Sequence, residues 1–263
     1  MRILIIAGNT FRECIRDKIL YNLILFALLM ILSSILLGQL TLGHEAKVIV
    51  DLGLSSISIF GTLIAIFIGI GLVYKELEKR TVYFLLAKPI SRSQLILGKY
   101  AGLVFTLLVN VVIMTAGLIL TLLYHQGPTG AAWLRLVPAI YLIFLALALT
   151  TAIAMLFSTF STPALSALFT LFLWVIGHFN RDLLEFGNWT HSVAVQWLCR
   201  ILYYALPNLS NFTWVDSRNV IQSAAYGLPL DGYAVLWASV YCVTYTIVLL
   251  GLATLVFSRR DFK

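Results

Sequence analysis

The chain alternates long apolar runs with short polar breaks, and six of these runs are long enough to cross a lipid bilayer. A membrane-spanning helix needs about 20 mainly apolar residues. The runs are Ile19–Leu40, Leu54–Tyr74, Leu95–Tyr124, Leu134–Phe157, Ala164–Phe179 and Tyr233–Phe257. The pattern predicts an all-α membrane protein whose six transmembrane helices lie within residues 19–257.

Residues 1–18 precede the first span and have the pattern of an amphipathic helix. Leu4, Ala7, Phe11 and Ile15 recur at helical spacing, while charged residues occupy the other faces. Such a helix lies along the membrane interface, so the segment is predicted to be an amphipathic interfacial helix. The alternative that the pattern leaves open is a simple extension of the first span.

The longest polar interruption between spans covers residues 74–100 and carries six Lys and Arg residues. Within it, Thr81–Ala87 is predicted to be a short apolar turn or helix that ends at Pro89. Ser91 and Gln94 have the spacing of a capping box at the start of the next helix. A loop built in this way offers residues 82–86 as an apolar face for a partner. The alternative is a basic loop that only orients the chain in the membrane.

The distribution of basic residues predicts which side of the membrane each loop faces. Cytoplasmic loops are enriched in Lys and Arg, and 13 of the 18 basic residues are cytoplasmic if both termini are inside. The 74–100 loop and a short tail at 258–263 are then cytoplasmic as well. With 61% hydrophobic and 11% charged residues, the chain cannot be a soluble globule. Its net charge of +7 therefore reflects membrane topology and not nucleic-acid binding.

Residues 180–231 form a long segment that is predicted to lie on the outer side, before the sixth span. The apolar run Trp197–Leu206 is too short to cross the bilayer and stops at Pro207. Non-helical backbone at membrane depth is tolerated where it is enclosed by protein or lines a cavity. The segment is therefore predicted to be a re-entrant or extracytoplasmic helical segment.

Small and polar residues form stripes at helical spacing inside several spans. Such stripes allow helices to approach closely in lipid. They predict a dimer interface or a translocation path, with intramolecular packing as the alternative, at Ser55, Ser58, Thr62, Gly69, Asn110, Ser166 and Thr170. No Asp, Glu, Lys or Arg lies in the middle of a span, which argues against ion-coupled transport and for an external energy source.

The sequence contains no pattern typical of catalysis. It has no zincin, nucleophile-elbow or Walker A motif, so no catalytic residue is predicted. The four histidines are predicted to lie outside, and they lack the spacing of metal ligands, so no metal site is predicted either. The three cysteines fall in different compartments, which excludes a disulfide framework.

The 74–100 loop resembles the signature of type-2 (type V) ABC exporter permeases. The matching positions are Glu76, Glu78, Thr81, Leu85, Leu86, Pro89–Arg92 and Leu97–Lys99, with Arg80 in place of the usual glycine. Further similarity lies in Tyr203–Asn208 and in Phe257–Phe262, so the resemblance covers nearly the whole chain. The branch associated with multicopper-enzyme maturation is the most similar.

The resemblance implies a permease without its own ATPase site. It would work in the bacterial inner membrane with a second permease copy, as a homodimer, and with cytoplasmic ABC ATPase subunits that bind ATP and Mg²⁺; the chain itself needs no cofactor. Membrane lipids and an extracytoplasmic accessory protein are further expected partners. The 74–100 loop would be the coupling helix, with ATPase coupling assigned to Glu76, Glu78, Arg80, Thr81, Phe84, Leu85, Leu86, Pro89 and Arg92. The alternative function is a membrane-embedded assembly factor or enzyme that uses residues 180–231.

Overall fold

The computed structural model describes residues 2–40, 44–78, 91–126, 134, 136–190, 192–215, 218–226, 228 and 232–259. Apart from one two-residue antiparallel ladder, its regular elements are helices. In chain order they are α1 (Arg2–Ile15), α2 (Lys18–Gln39), α3 (Glu45–Glu78), α4 (Arg92–Gln126), α5 (Val137–Ser158), α6 (Pro163–His178), α7 (Asn180–Trp189), α8 (Val193–Ala205), α9 (Ser210–Thr213), β1 (Trp214–Val215), β2 (Arg218–Asn219), α10 (Val220–Ala225) and α11 (Gly232–Arg259).

Five of these helices, α2, α3, α4, α5 and α11, are long and apolar enough to cross a membrane. A sixth crossing results if α6 and α7, which meet at a bend of 63°, are counted as one broken span. The predicted all-α fold with several membrane-spanning helices is thus confirmed. The fifth predicted span corresponds to α6, whose 16 residues are about 24 Å long and fall short of the roughly 30 Å hydrocarbon core.

Helices α3 and α4 run into residues 74–100 from either side; α3 extends well beyond its predicted span, and α4 exceeds its own by a few residues at each end. They contain 34 and 35 residues, so each is about 50 Å long. The predicted capping box is confirmed: the Ser91 amide donates to Gln94 Oε1 and the Gln94 amide donates to Ser91 Oγ, both at 3.3 Å. We call the end of the bundle where α3 ends and α4 begins the loop end.

The centre of the bundle is formed by α3 and α5, which run in the same direction. In the most apolar window of each helix 67% of residues are buried, compared with 22% for α2. Glycines on α3 allow this close packing, because a Cβ at Gly61 would lie 2.6 Å from Leu147 and one at Gly69 would lie 3.3 Å from Ala154. Helix α2 therefore presents most of its surface to lipid, whereas α3 and α5 carry the interior.

Helix α1 forms as predicted, but it packs on the first turns of α4. A Cβ at Gly98 would lie 2.7 Å from Ile6, and one at Gly102 would lie 2.6 Å from the Ala7 carbonyl oxygen. Leu4 of the predicted apolar face is 75% exposed, and the residues of α1 that are buried within the chain are Thr10 and Cys14. That the apolar face lies along the membrane interface stays a prediction. The two glycines, which no helical pattern within α1 could reveal, decide which face is covered.

The segment between α6 and α11 returns into the bundle. Helices α7 and α8 pack on each other, and a Cβ at Gly187 would lie 2.9 Å from Cys199. The Leu209 amide then donates to the Gly177 carbonyl at 3.0 Å, so the chain comes back to the end of α6. Cys199, predicted to lie outside, is only 5% exposed because the two helices cover it.

Two tyrosines of α11 hold the returning chain at the depth of the spans. Tyr245 donates from its hydroxyl to the Ala205 carbonyl at 3.2 Å, and the Tyr241 hydroxyl accepts from the Asn208 amide at 2.7 Å. Tyr245 lies 13 residues after the start of α11, or about 20 Å along its axis, near the middle of the span. The Leu206, Asn208 and Leu209 amides and the Ala205 carbonyl are thus hydrogen-bonded, as non-helical backbone at membrane depth requires. We refer to the segment that starts at residue 205 as the re-entrant chain, and its re-entrant path through the membrane stays a prediction.

Candidate functional site

A partly enclosed cavity of about 180 Å³ lies where the re-entrant chain meets α3, α5 and α6. Its walls are formed by Ser55, Ser58, Ile59, Thr62, Ile143, Ala146, Trp174, His178, Phe212, Thr213, Val220 and Ile221. Ser58 is 13 residues into α3, about 20 Å from its start, so the cavity lies near the middle of the span. Broken helices that meet at this depth form the substrate sites of many transporters.

The polar wall of the cavity comes from one face of α3. Ser55, Ser58 and Thr62 follow one another at spacings of three and four residues, which places them on one side of the helix. The Thr62 hydroxyl donates to the Ser58 carbonyl at 2.8 Å and is thereby satisfied by its own helix. The Ser55 and Ser58 hydroxyls form no such bond within the described chain, so they are available to a ligand.

The opposite wall carries the Trp174 and His178 rings, one helical turn apart at the end of α6. Their ring centroids are 4.5 Å apart. His178 Nδ1 lies 2.8 Å from the Trp174 carbonyl oxygen, and a carbonyl can only accept. A neutral imidazole that donates from Nδ1 has its acceptor at Nε2, so the backbone of α6 determines which nitrogen remains for other contacts.

The remaining walls of the cavity are apolar and in part re-entrant. Phe212, Val220 and Ile221 come from the segment that follows Asn208, and Ile143 and Ala146 come from α5. Ile59 is 52% exposed, so the cavity reaches the surface of the chain beside it. The described residues that line this cavity include no Asp, Glu, Lys or Arg. It can therefore hold a molecule by apolar contact and a few neutral hydrogen bonds, with His178 as the one ionisable side chain among the described lining residues.

The structure divides the predicted stripe residues into two groups. Ser55, Ser58 and Thr62 line the cavity. The others are buried elsewhere within the chain: Gly69 against Ala154, and Asn110, Ser166 and Thr170 with at most 3% exposure. Side chains buried in their own chain cannot contact a second subunit in this conformation. For these positions the assignment to a dimer interface or translocation path stays a prediction.

Two of the buried stripe residues have unsatisfied polar groups. Asn110 Nδ2 and the Ser166 hydroxyl have no hydrogen-bond partner within the described part of the chain. Thr170 is satisfied, since its hydroxyl donates to the Ser166 carbonyl at 2.7 Å. Unpaired buried polar groups cost free energy and call for an explanation.

The predicted coupling residues lie at the loop end of the bundle. Glu76 and Glu78 belong to the last turn of α3, and Arg92 is the first residue of α4. The other predicted residues, Arg80, Thr81, Phe84, Leu85, Leu86 and Pro89, lie outside the described residues, as does the predicted helix at 81–87. Their assignment stays a prediction.

Within the described ranges no three His, Cys, Asp or Glu side chains come together as metal ligands would. Residues 4–262 of the chain match the profile of the family described as ABC-2 family transporter protein. The chain belongs to the ABC-2 transporter family. It is thus a multi-pass membrane protein and the permease type of subunit, which works with ABC ATPase subunits. No curated protein matches the chain significantly.

Two cavity residues of this ABC-2 permease were missed by the sequence analysis. His178 was predicted to lie on the outer side of the membrane with no role in a site, whereas the structure places it in the cavity wall at the end of α6. Trp174 was not among the predicted site residues. The available signal was the four-residue spacing of Trp174 and His178, which places both rings on one face of a helix. The sequence could not show whether that face meets lipid, protein or a cavity.

Proposed function

We propose that the chain is the transmembrane subunit of an ATP-driven ABC exporter of the type V class, with the loop at 79–90 as its coupling element. The observation that carries this proposal is the continuity of α3. One helix of 34 residues extends from the outer loops, past the cavity at Ser55–Thr62, to Glu78 beside the loop. A movement of the loop would therefore reach the cavity through a single helix.

The distance involved is large enough to require a rigid connection. From Ser58 to Glu78 is 20 residues of uninterrupted helix, or about 30 Å. No proline interrupts this stretch, and the helix is continuous through it. The coupling of ATP hydrolysis to the cavity then needs no chain of side-chain contacts, because α3 moves as one body.

Helix α1 would support the other side of the coupling loop. It packs on the first turns of α4 through Gly98 and Gly102, and Phe11 contacts Phe105 with ring centroids 4.7 Å apart. Lys99, between the two glycines, is buried. The first turns of α4 are therefore held in place by α1, as expected of a helix that transmits force from a docked ATPase.

We infer an assembly of two permease copies and two ATPases in the bacterial inner membrane, with both termini in the cytoplasm. The exposed face of α6 and the open side of the cavity beside Ile59 offer surface to a second copy. ATP and Mg²⁺ would be bound by the ATPases. The export direction and the relation to the multicopper-maturation branch rest on the similarity of the loop sequence.

The test replaces Phe84 and Leu85 together by Asp in the full-length permease. An unpaired charge buried at an interface costs several kcal/mol, so capture of the cognate ABC ATPase by the tagged permease and stimulated ATP turnover in nanodiscs should both be lost. Membrane insertion should be unchanged, because the spans are untouched. The matched control, Phe84→Leu with Leu85→Ile, should retain both activities. Full ATPase binding by the Asp variant would refute the coupling assignment.

A further inference from the structure

We propose that the cavity between α3, α6 and the re-entrant chain binds a neutral amphiphile that carries a hydroxyl group on an apolar body. The role of this molecule as cargo rests on the transport function proposed above. The binding itself needs no ATPase, because all the contacts come from this chain. The proposal is supported by the charge, the hydrogen-bonding groups and the apolar surface of the cavity.

The described walls of the cavity carry no Asp, Glu, Lys or Arg side chain, which disfavours an ionic headgroup. An ion moved from water to the middle of a span loses its hydration, and only a counter-charge or several hydrogen bonds can offset that loss. The twelve lining residues include no Asp, Glu, Lys or Arg. Carboxylates, phosphates and ammonium groups would therefore be held poorly at this depth.

The polar groups of the cavity match a hydroxyl. A hydroxyl donates one hydrogen bond and accepts two. The Ser55 and Ser58 hydroxyls, which their own helix leaves available, can donate to it, and a neutral His178 can accept from it at Nε2 because its Nδ1 is bonded to the Trp174 carbonyl. One ligand group can thus pair with both walls.

The apolar walls require an extended hydrophobic body. Ile143, Ala146, Phe212 and Ile221 surround the polar groups, and the indole of Trp174 adds a large flat surface. The cavity reaches the surface of the chain beside Ile59, so a chain longer than the cavity can extend outwards there. An acyl chain of the surrounding lipid could fill the apolar part, but it would leave the hydroxyls and the imidazole unpaired.

The test uses bromine quenching of Trp fluorescence in the full-length permease in nanodiscs. Bromine quenches tryptophan on contact, so three probes carry it at carbon 2 of a ten-carbon chain: 2-bromodecan-1-ol, 2-bromodecanoate and (2-bromodecyl)trimethylammonium. The cavity signal is the quenching that is lost on Trp174→Phe, because lipid-exposed tryptophans contribute equally to both proteins. We expect saturable Trp174-dependent quenching by the alcohol, and at least tenfold weaker binding of the two ions.

Variants separate the polar contacts from general apolar partition. Ser58→Ala and His178→Phe should each weaken alcohol binding about three- to tenfold, the effect of one lost neutral hydrogen bond. The control is Thr244→Val, which removes an exposed hydroxyl of α11 that is bonded to its own helix and lies outside the cavity, and it should leave binding unchanged.

Three results would overturn the proposal. The first is binding of the ionic probes as tight as that of 2-bromodecan-1-ol. The second is equally tight binding of 2-bromodecane, which would indicate a site for a lipid chain only. The third is the absence of Trp174-dependent quenching by any probe. Each of these leaves the ATPase capture experiment unaffected, so failure of the ligand assignment is distinguishable from failure of the transport function.

Discussion

The contact between α1 and α4 provides the sharpest structural test of the loop end. A Cβ on Gly102 would lie 2.6 Å from the Ala7 carbonyl oxygen and 2.6 Å from Thr10 Cβ. The first of these neighbours is backbone and cannot move without shifting α1 as a whole. Gly102→Leu should therefore displace α1 from α4. Helix α4 stays helical whether α1 is docked or undocked, so the higher helix propensity of Leu does not change the docking equilibrium.

The expected magnitude follows from the cost of overpacking. Extra side-chain atoms in a closely packed contact cost about 1–3 kcal/mol, which raises the undocked population of α1 about 5- to 150-fold. Cys14 is a native reporter of this opening, because it lies on the buried face of α1 and is only 1% exposed. In a Cys199→Ser, Cys242→Ser background, its maleimide labelling rate should rise by that factor when α1 closes faster than the reagent reacts.

The matched control is Gly8→Ala on the exposed side of α1, where an added Cβ would have no atom within 4 Å. Its Cys14 labelling rate should equal that of the parent protein. Gly98→Ala is a milder variant at the same contact, since its Cβ would lie 2.7 Å from the Ile6 side chain, which can adjust. If Gly102→Leu labels no faster than Gly8→Ala, the close approach of α1 to α4 does not hold this helix in place.

Two further predictions concern topology and the re-entrant chain. Cysteines introduced at the exposed positions Ser192 and Asn9 should differ in their labelling by an impermeant thiol reagent in intact cells. The reagent should label the cysteine at 192 and not the one at 9, and the reverse result would show that the membrane orientation is the opposite one. Tyr241→Phe should lower the thermal unfolding temperature, because the Asn208 amide loses its partner and an unsatisfied buried N–H costs about 1–3 kcal/mol. Thr244→Val, which removes an exposed hydroxyl bonded to its own helix, should have almost no effect, and equal shifts for both variants would contradict the role of Tyr241.

The sequence alone was sufficient for the features that depend on neighbouring residues along the chain. A bilayer requires each span to be apolar over about 20 residues, so the spans could be predicted from composition in successive windows. The capping box at Ser91 and Gln94 is confirmed because capping needs only residues within one turn. The family resemblance carried by the loop is confirmed at the level of the ABC-2 transporters.

The tertiary structure decided which partner each face meets. In lipid, a stripe of small residues lowers the free energy equally well against a helix of the same chain, a second subunit or a cargo. Helix periodicity therefore could not show that Ser166 and Thr170 are buried internally while Ser58 lines a cavity. The cavity itself forms because the chain after α8 returns to the end of α6, a contact between residues 177 and 209 that is determined by packing across the bundle and not by any local pattern.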